Sequence, residues 1–118
     1  MIRGKVSDRQ ATTMNGIAIT REQAIQRLRS VEAEIRRLGV RRLALFGSVV
    51  RNQATATSDV DVLVEFDPEK KSLNAFMGLA FLLDEALGRR ADIVTTESLS
   101  PYIGPHILRE AEDVLRAA

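Results

Sequence analysis

Apolar residues recur at spacings of three and four through Ile25, Leu28, Val31, Ile35 and Leu38. This is the period of a helix laid on one apolar surface. Thr20-Arg-Glu-Gln23 in front reads as a capping box, in which hydroxyl and amide side chains satisfy each other's free backbone N–H groups. The spacing predicts one helix from Thr20 to Leu38, ended by Gly39. The period then changes to two. Leu43-Ala-Leu-Phe46 is a short strand candidate halted by Gly47-Ser48, and Val60-Asp-Val-Leu-Val-Glu-Phe66 is the clearest strand of the chain. Alternation puts Val60, Val62, Val64 and Phe66 on one face and Asp59, Asp61, Leu63 and Glu65 on the other.

Ser72 caps a second helix running to about Leu87 and stopped by Gly88; Ala91-Asp-Ile-Val-Thr95 follows as a third strand. Past Pro101, Gly104 and Pro105 a last helix is expected from about Pro105 to Arg116. The order α-β-β-α-β-α predicts an α/β (α+β) fold: a small mixed sheet with helices packed on one face. Residues 1–16 carry neither period and read as a flexible tail, leaving a single domain over 17–118. Met14, just before the first periodic segment, is an alternative start.

Composition narrows the chemistry. With 118 residues there is length for one domain with a real core. No cysteine is present, which excludes disulfides, thiolate metal sites and a cysteine nucleophile. Seventeen basic against sixteen acidic side chains leave +1, so direct nucleic-acid binding through a broad basic surface is not indicated. The longest apolar run, Ala75 to Leu83, is nine residues, far short of the roughly 20 of a membrane helix. With no signal peptide in the polar opening stretch, the expectation is a cytoplasmic protein with no membrane partner.

Asp59 and Asp61 project from one strand face about 6–7 Å apart at the backbone. The pair is either a solvated face or the seat of a cation: two such anions repel unless a positive charge sits between them, and Mg²⁺ prefers carboxylate and phosphate oxygens. Asp92 joins them if its strand lies alongside, and three acids on adjacent strands can hold two metal ions about 4 Å apart for phosphoryl transfer. Gly47-Ser48, separated from Asp59 by ten residues, supplies a close backbone approach and a hydroxyl, both suited to a phosphate.

Gly47-Ser48, the ten-residue spacer and Asp59-Val-Asp61 together resemble the signature of the DNA polymerase beta-like nucleotidyltransferases, closest to the minimal nucleotidyltransferases. Leu43-Ala-Leu-Phe-Gly-Ser48, Ser58 to Phe66 and Leu87-Gly-Arg-Arg-Ala-Asp-Ile-Val94 share the likeness, which spans about residues 20–116. The resemblance implies the polymerase beta-like fold, Mg²⁺ (two ions) on Asp59, Asp61 and Asp92, and ATP as substrate. It implies that Gly47, Ser48, Arg51 and Ser58 bind the nucleotide, with Asp92 as general base for an attacking hydroxyl. The family often reads Gly-Ser-Arg-Ala-Arg-Gly where this chain has Gly47-Ser-Val-Val-Arg-Asn52, which removes one cation and leaves Arg51 as the nearby clamp. Asn52 tolerates left-handed geometry in place of the glycine.

Almost nothing is left over to bind an acceptor, so the acceptor is bound by another chain or is that chain. The second helix is apolar around most of its circumference, from Leu73, Phe76 and Met77 through Leu83. It is either sandwiched within the fold or presents a homodimer or hetero-complex surface. Minimal chains of this kind resemble the antitoxins of HEPN/MNT toxin–antitoxin pairs. This implies transfer of AMP from ATP to a tyrosine of a HEPN ribonuclease toxin. The alternatives are an antitoxin that acts by binding alone with a vestigial site, and a stand-alone transferase on a small molecule or RNA. His106, Tyr102, Lys70-Lys71 and Arg89-Arg90 read as surface, turn or packing positions, and Glu65 as a support for the acid pair.

Overall fold

The computed structural model describes residues 18–116; the tail expected over 1–16, and Met14 within it, lies outside the described residues. The capping box forms as read. Thr20 Oγ1 accepts the Gln23 N–H at 3.1 Å, and Gln23 Oε1 accepts the Thr20 N–H at 3.0 Å. The helix it opens is not continuous: α1 spans Arg21–Ser30 and α2 Glu32–Arg37, with Val31 between them at φ −116°, ψ 23°. Ser30 Oγ donates to the Arg27 carbonyl at 2.6 Å, a back-bond of the kind that bends helices, and β-branched Val31 sits at the break. The buried stripe runs across it through Ala24, Leu28 and Ile35.

Strand β1 is Val40–Phe46, three residues longer at its start than the sequence pattern suggests, and a 3-10 turn over Gly47–Val49 ends it. Strand β2 is Val60–Phe66, helix α3 Leu73–Leu87 and strand β3 Ala91–Thr95, all as expected. Ser72 Oγ accepts the Ala75 N–H at 3.0 Å at the start of α3. A 3-10 turn at Thr96–Ser98 leads to α4, Gly104–Glu110.

The last helix corrects the sequence reading. It stops at Glu110, and Glu112–Leu115 form strand β4 instead of two more helical turns. The free edge of β1 decides this: β4 pairs antiparallel with it, and Val114 and Leu115 are buried there. Arg21 pairs with Glu112, and Arg42 Nε donates to Asp113 Oδ1 at 2.7 Å, pinning the strand to α1 and β1. Helical propensity in this short acidic stretch is too weak to compete.

The sheet order is β3-β2-β1-β4, with β1 antiparallel to both neighbours and β2 parallel to β3. This is the mixed sheet expected. Val60, Val62 and Val64 meet Leu28, Ile35, Leu79, Leu83 and Leu87 in the main core. On the opposite face Leu63, Ala44 and Phe46 form a smaller cluster with Ile107 of α4. Helix α3 is therefore not sandwiched under the last helix. It buries Leu79, Ala80, Leu83 and Leu87, while Leu73 and Phe81 face outward at 75% and 59% exposure. Among the described residues no helix is long and apolar enough to cross a membrane.

Candidate active site

The three acids arrive on two strands. Parallel pairing sets Asp61 directly beside Asp92, while Asp59 immediately precedes β2. The Val60 N–H donates to the Arg90 carbonyl at 3.0 Å and locks the two strand starts together. Asp92 therefore stands on the strand next to the Asp-x-Asp pair and in register with it. Asp61 is half-buried, with Asp59 and Asp92 exposed on either side. Burial, then the like charges of Asp92, Asp59 and Glu110, push the Asp61 carboxyl up to about 6, and Arg51 opposes the shift. Arg90 Nε lies 4.0 Å from Asp59 Oδ2.

Gly47 is required twice over. Its φ is 78°, and a Cβ there would fall inside contact distance of the Asp61 carboxylate. Turn and acid are thus packed against each other, although thirteen residues separate them. The turn continues through Ser48, whose carbonyl accepts the Gln53 N–H at 2.8 Å, to Asn52 at φ 55°. Asn52 takes the left-handed conformation foreseen for it, and its Oδ1 accepts the Arg21 N–H at 3.2 Å. Ser58 closes a turn of its own: its Oγ accepts the Thr55 N–H at 2.9 Å.

Arg51 reaches the site but is engaged. Its guanidinium pairs with Glu110, and Nε donates to Gln53 Oε1 at 3.0 Å. Glu110 also takes the Gly47 N–H, at 2.9 Å to Oε1. The Gly47 N–H, then Arg51, hold the Glu110 carboxyl below its usual range. Sequence reading missed Glu110, because a contact across 63 residues between a helix end and a turn has no local signature. The structure thus gathers Asp59, Asp61, Asp92, Gly47 and Arg51 around one spot, while the hydrogen bonds of Ser58 stay within its own turn with Thr55. Glu65 sits farther along β2, opposite Arg42 of β1.

As donors for a cation, Asp59, Asp61 and Asp92 offer only carboxylate oxygens, the hard set that suits Mg²⁺. Their mutual repulsion, expressed at Asp61, is the strain that a cation would relieve. Among the described residues no three of His, Cys, Asp and Glu stand close enough to hold a metal ion without side-chain adjustment.

A family model for the nucleotidyltransferase domain matches residues 28–115. The chain belongs to that family. This nucleotidyltransferase is 42% identical over 93 residues to the protein adenylyltransferase MntA of Thermococcus cleftensis, covering 78% of the present chain and 93% of the relative. A solved chain described as a minimal nucleotidyltransferase superposes with a TM-score of 0.71 at 36% identity, covering 80% of this chain and 95% of that one. The complex of a tri-AMPylated HEPN toxin with its MNT antitoxin from Shewanella oneidensis matches at TM-score 0.58 and 17% identity, over 83% of this nucleotidyltransferase and 74% of the solved chain. At that identity the likeness is one of fold.

Proposed function

We propose that the chain is a Mg²⁺-dependent protein adenylyltransferase and antitoxin, moving AMP from ATP to a tyrosine hydroxyl of a HEPN-type ribonuclease partner. The observation that carries this reading is the in-register placement of Asp61 beside Asp92, with Asp59 adjacent and Gly47 packed on Asp61. The adenylyltransferase name of the Thermococcus relative and the AMPylated toxin in the Shewanella complex support the choice of nucleotide and partner. ATP as substrate goes with a cytoplasmic protein.

In this reading Asp59, Asp61 and Asp92 hold the metal, which when bound would neutralise phosphate charge and polarise the transferred group. Gly47 and Ser48 hold the β- and γ-phosphates, Arg51 clamps them, and Ser58 supports the nucleotide side. Asp92 accepts the proton of the attacking hydroxyl. The acceptor oxygen bonds to the α-phosphorus, the bond to the bridging oxygen breaks, and pyrophosphate leaves. Positioning and charge neutralisation suffice for such a reaction, so neither His nor Cys is needed. The exposed Leu73 and Phe81 of α3 supply an apolar contact for the partner, or for a second copy of the chain; sedimentation of the chain alone and with its partner separates the two.

The altered Gly47-Ser-Val-Val-Arg-Asn52 turn favours a second reading, in which the antitoxin works by binding alone and the acids are vestigial. Intact masses of both proteins after incubation with Mg²⁺ and ATP decide between them. One or more AMP units on the partner, absent with Asp59→Asn plus Asp61→Asn, supports transfer. An unmodified yet inhibited partner supports occlusion.

A further inference from the structure

Glu110 ends α4 with its side chain only 18% exposed, and its two oxygens are divided between two donors. One takes the Gly47 N–H at 2.9 Å, and the other the Arg51 guanidinium. A backbone N–H and a guanidinium aimed at two oxygens of one anion are also a phosphate-binding pair. These are the donors that the adenylyltransferase reading gives to the triphosphate, so an anion of the chain itself already sits on them. Asp61, which feels the charge of Glu110, lies against the same turn. The carboxylate cannot stay while a triphosphate uses both donors, because the two anions would share one N–H and one cation at contact distance. The end of α4 does not demand this contact: the N–H of Ala111, the residue that follows the helix, is already bonded to the Ile107 carbonyl at 2.9 Å.

We infer that Glu110 is an internal competitor for the phosphate subsite, holding the Gly47 N–H and Arg51 until a triphosphate displaces it and thereby setting nucleotide affinity. The inference rests on the nucleotide-binding reading of that turn. A purely supporting role, with Glu110 orienting Arg51 for the nucleotide, predicts the opposite sign for its removal.

The test measures binding of Mg·ATP and of inorganic tripolyphosphate to the full chain by calorimetry, for wild type, Glu110→Gln, Glu110→Asp and Glu112→Gln. Glu110→Gln is expected to bind both ligands roughly tenfold tighter, a competition worth one charge-assisted hydrogen bond. Glu110→Asp keeps the charge but is too short to span both donors, so it is expected to bind about threefold tighter. Glu112 pairs with the Arg21 guanidinium rather than with Gly47 or Arg51, and Glu112→Gln controls for the general loss of an acid. Its affinity is expected to stay within about twofold of wild type. In turnover, KM for ATP falls with Glu110→Gln while kcat holds within about threefold. Unchanged or weaker binding by both Glu110 variants, equal tightening by Glu112→Gln, or no binding by any protein overturns the inference. AMP transfer is read in the same samples. Affinities that split as expected without transfer sink the transferase reading alone, whereas intact transfer with equal affinities sinks the competitor alone.

Discussion

The two faces of β2 are made of one strand and do opposite things. Toward α1 and α3, Val60, Val62 and Val64 are fully buried in a core of apolar side chains. On the other side Asp61 is half-buried between Asp59 and Asp92, with its carboxyl pushed up to about 6. Only Leu63 on that side is sealed, under Phe46 and Ile107. The first face has no unmet electrostatic demand; the second concentrates like charge where a structural surface would disperse it. A strand stabilised on one side can carry an unfavourable constellation on the other, and strain of that kind clusters at sites of chemistry.

The comparison is broken most severely by removing the acids. Asp59→Asn with Asp61→Asn is expected to lower AMP transfer by about a thousandfold or more, while circular dichroism shows an intact fold. Unfolding of the double variant would mean that the acidic face is structural after all. Apolar truncation probes both sides for stability instead. Leu83→Ala under the helices and Leu63→Ala under α4 should each destabilise by about 2–5 kcal/mol, read from chemical denaturation. A much smaller loss at Leu63 would show the α4 cluster to be a loose cover over the acidic face.

Gly47→Ala tests the seam between turn and acid. The left-handed backbone alone costs about 1–2 kcal/mol, and the new methyl group must also displace the Asp61 carboxylate. Transfer is expected to fall at least about tenfold through misplacement of the reacting groups. The smallest effect has the opposite sign. Asp61→Asn should stabilise the metal-free protein at pH 7 by about 1 kcal/mol, a shift discounted for partial solvent access. The Asp61 carboxyl rises from 3.8 to about 6 on folding, so the folded state holds that proton more tightly. The wild type therefore loses stability as pH rises through this window, with the penalty complete above about 6. Thermal melts should show the gap between variant and wild type closing as pH falls toward 3.8. A gap that does not change with pH would assign the stabilisation to something other than charge.

Local signals carried much of this molecule. The Thr20 capping box, the Ser72 cap, the alternation of Val60–Phe66 and the left-handed Asn52 all depend on a few neighbouring residues, and each appears as read. The break at Val31 was less legible, because the apolar stripe runs straight across it while a serine back-bond interrupts the helix. The last helix failed for a different reason. Glu112–Leu115 carries no decisive period, and only the open edge of β1 with Arg21 and Arg42 beside it makes the segment a strand.

The sequence by itself determined which residue types could do chemistry here: an Asp-x-Asp on one strand face, a third acid at the start of another strand, and a Gly-Ser turn separated from the pair by ten residues. These are consequences of covalent order and of a two-residue period, and they need no partner from afar. The tertiary structure alone decided that Asp92 stands in register with Asp61, that Gly47 packs against that carboxylate, and that Glu110 holds the donors of the turn. Each is a contact between segments distant along the chain, set by strand pairing and by the packing of α4, and local pattern contains no information about which of several such closures has the lowest free energy.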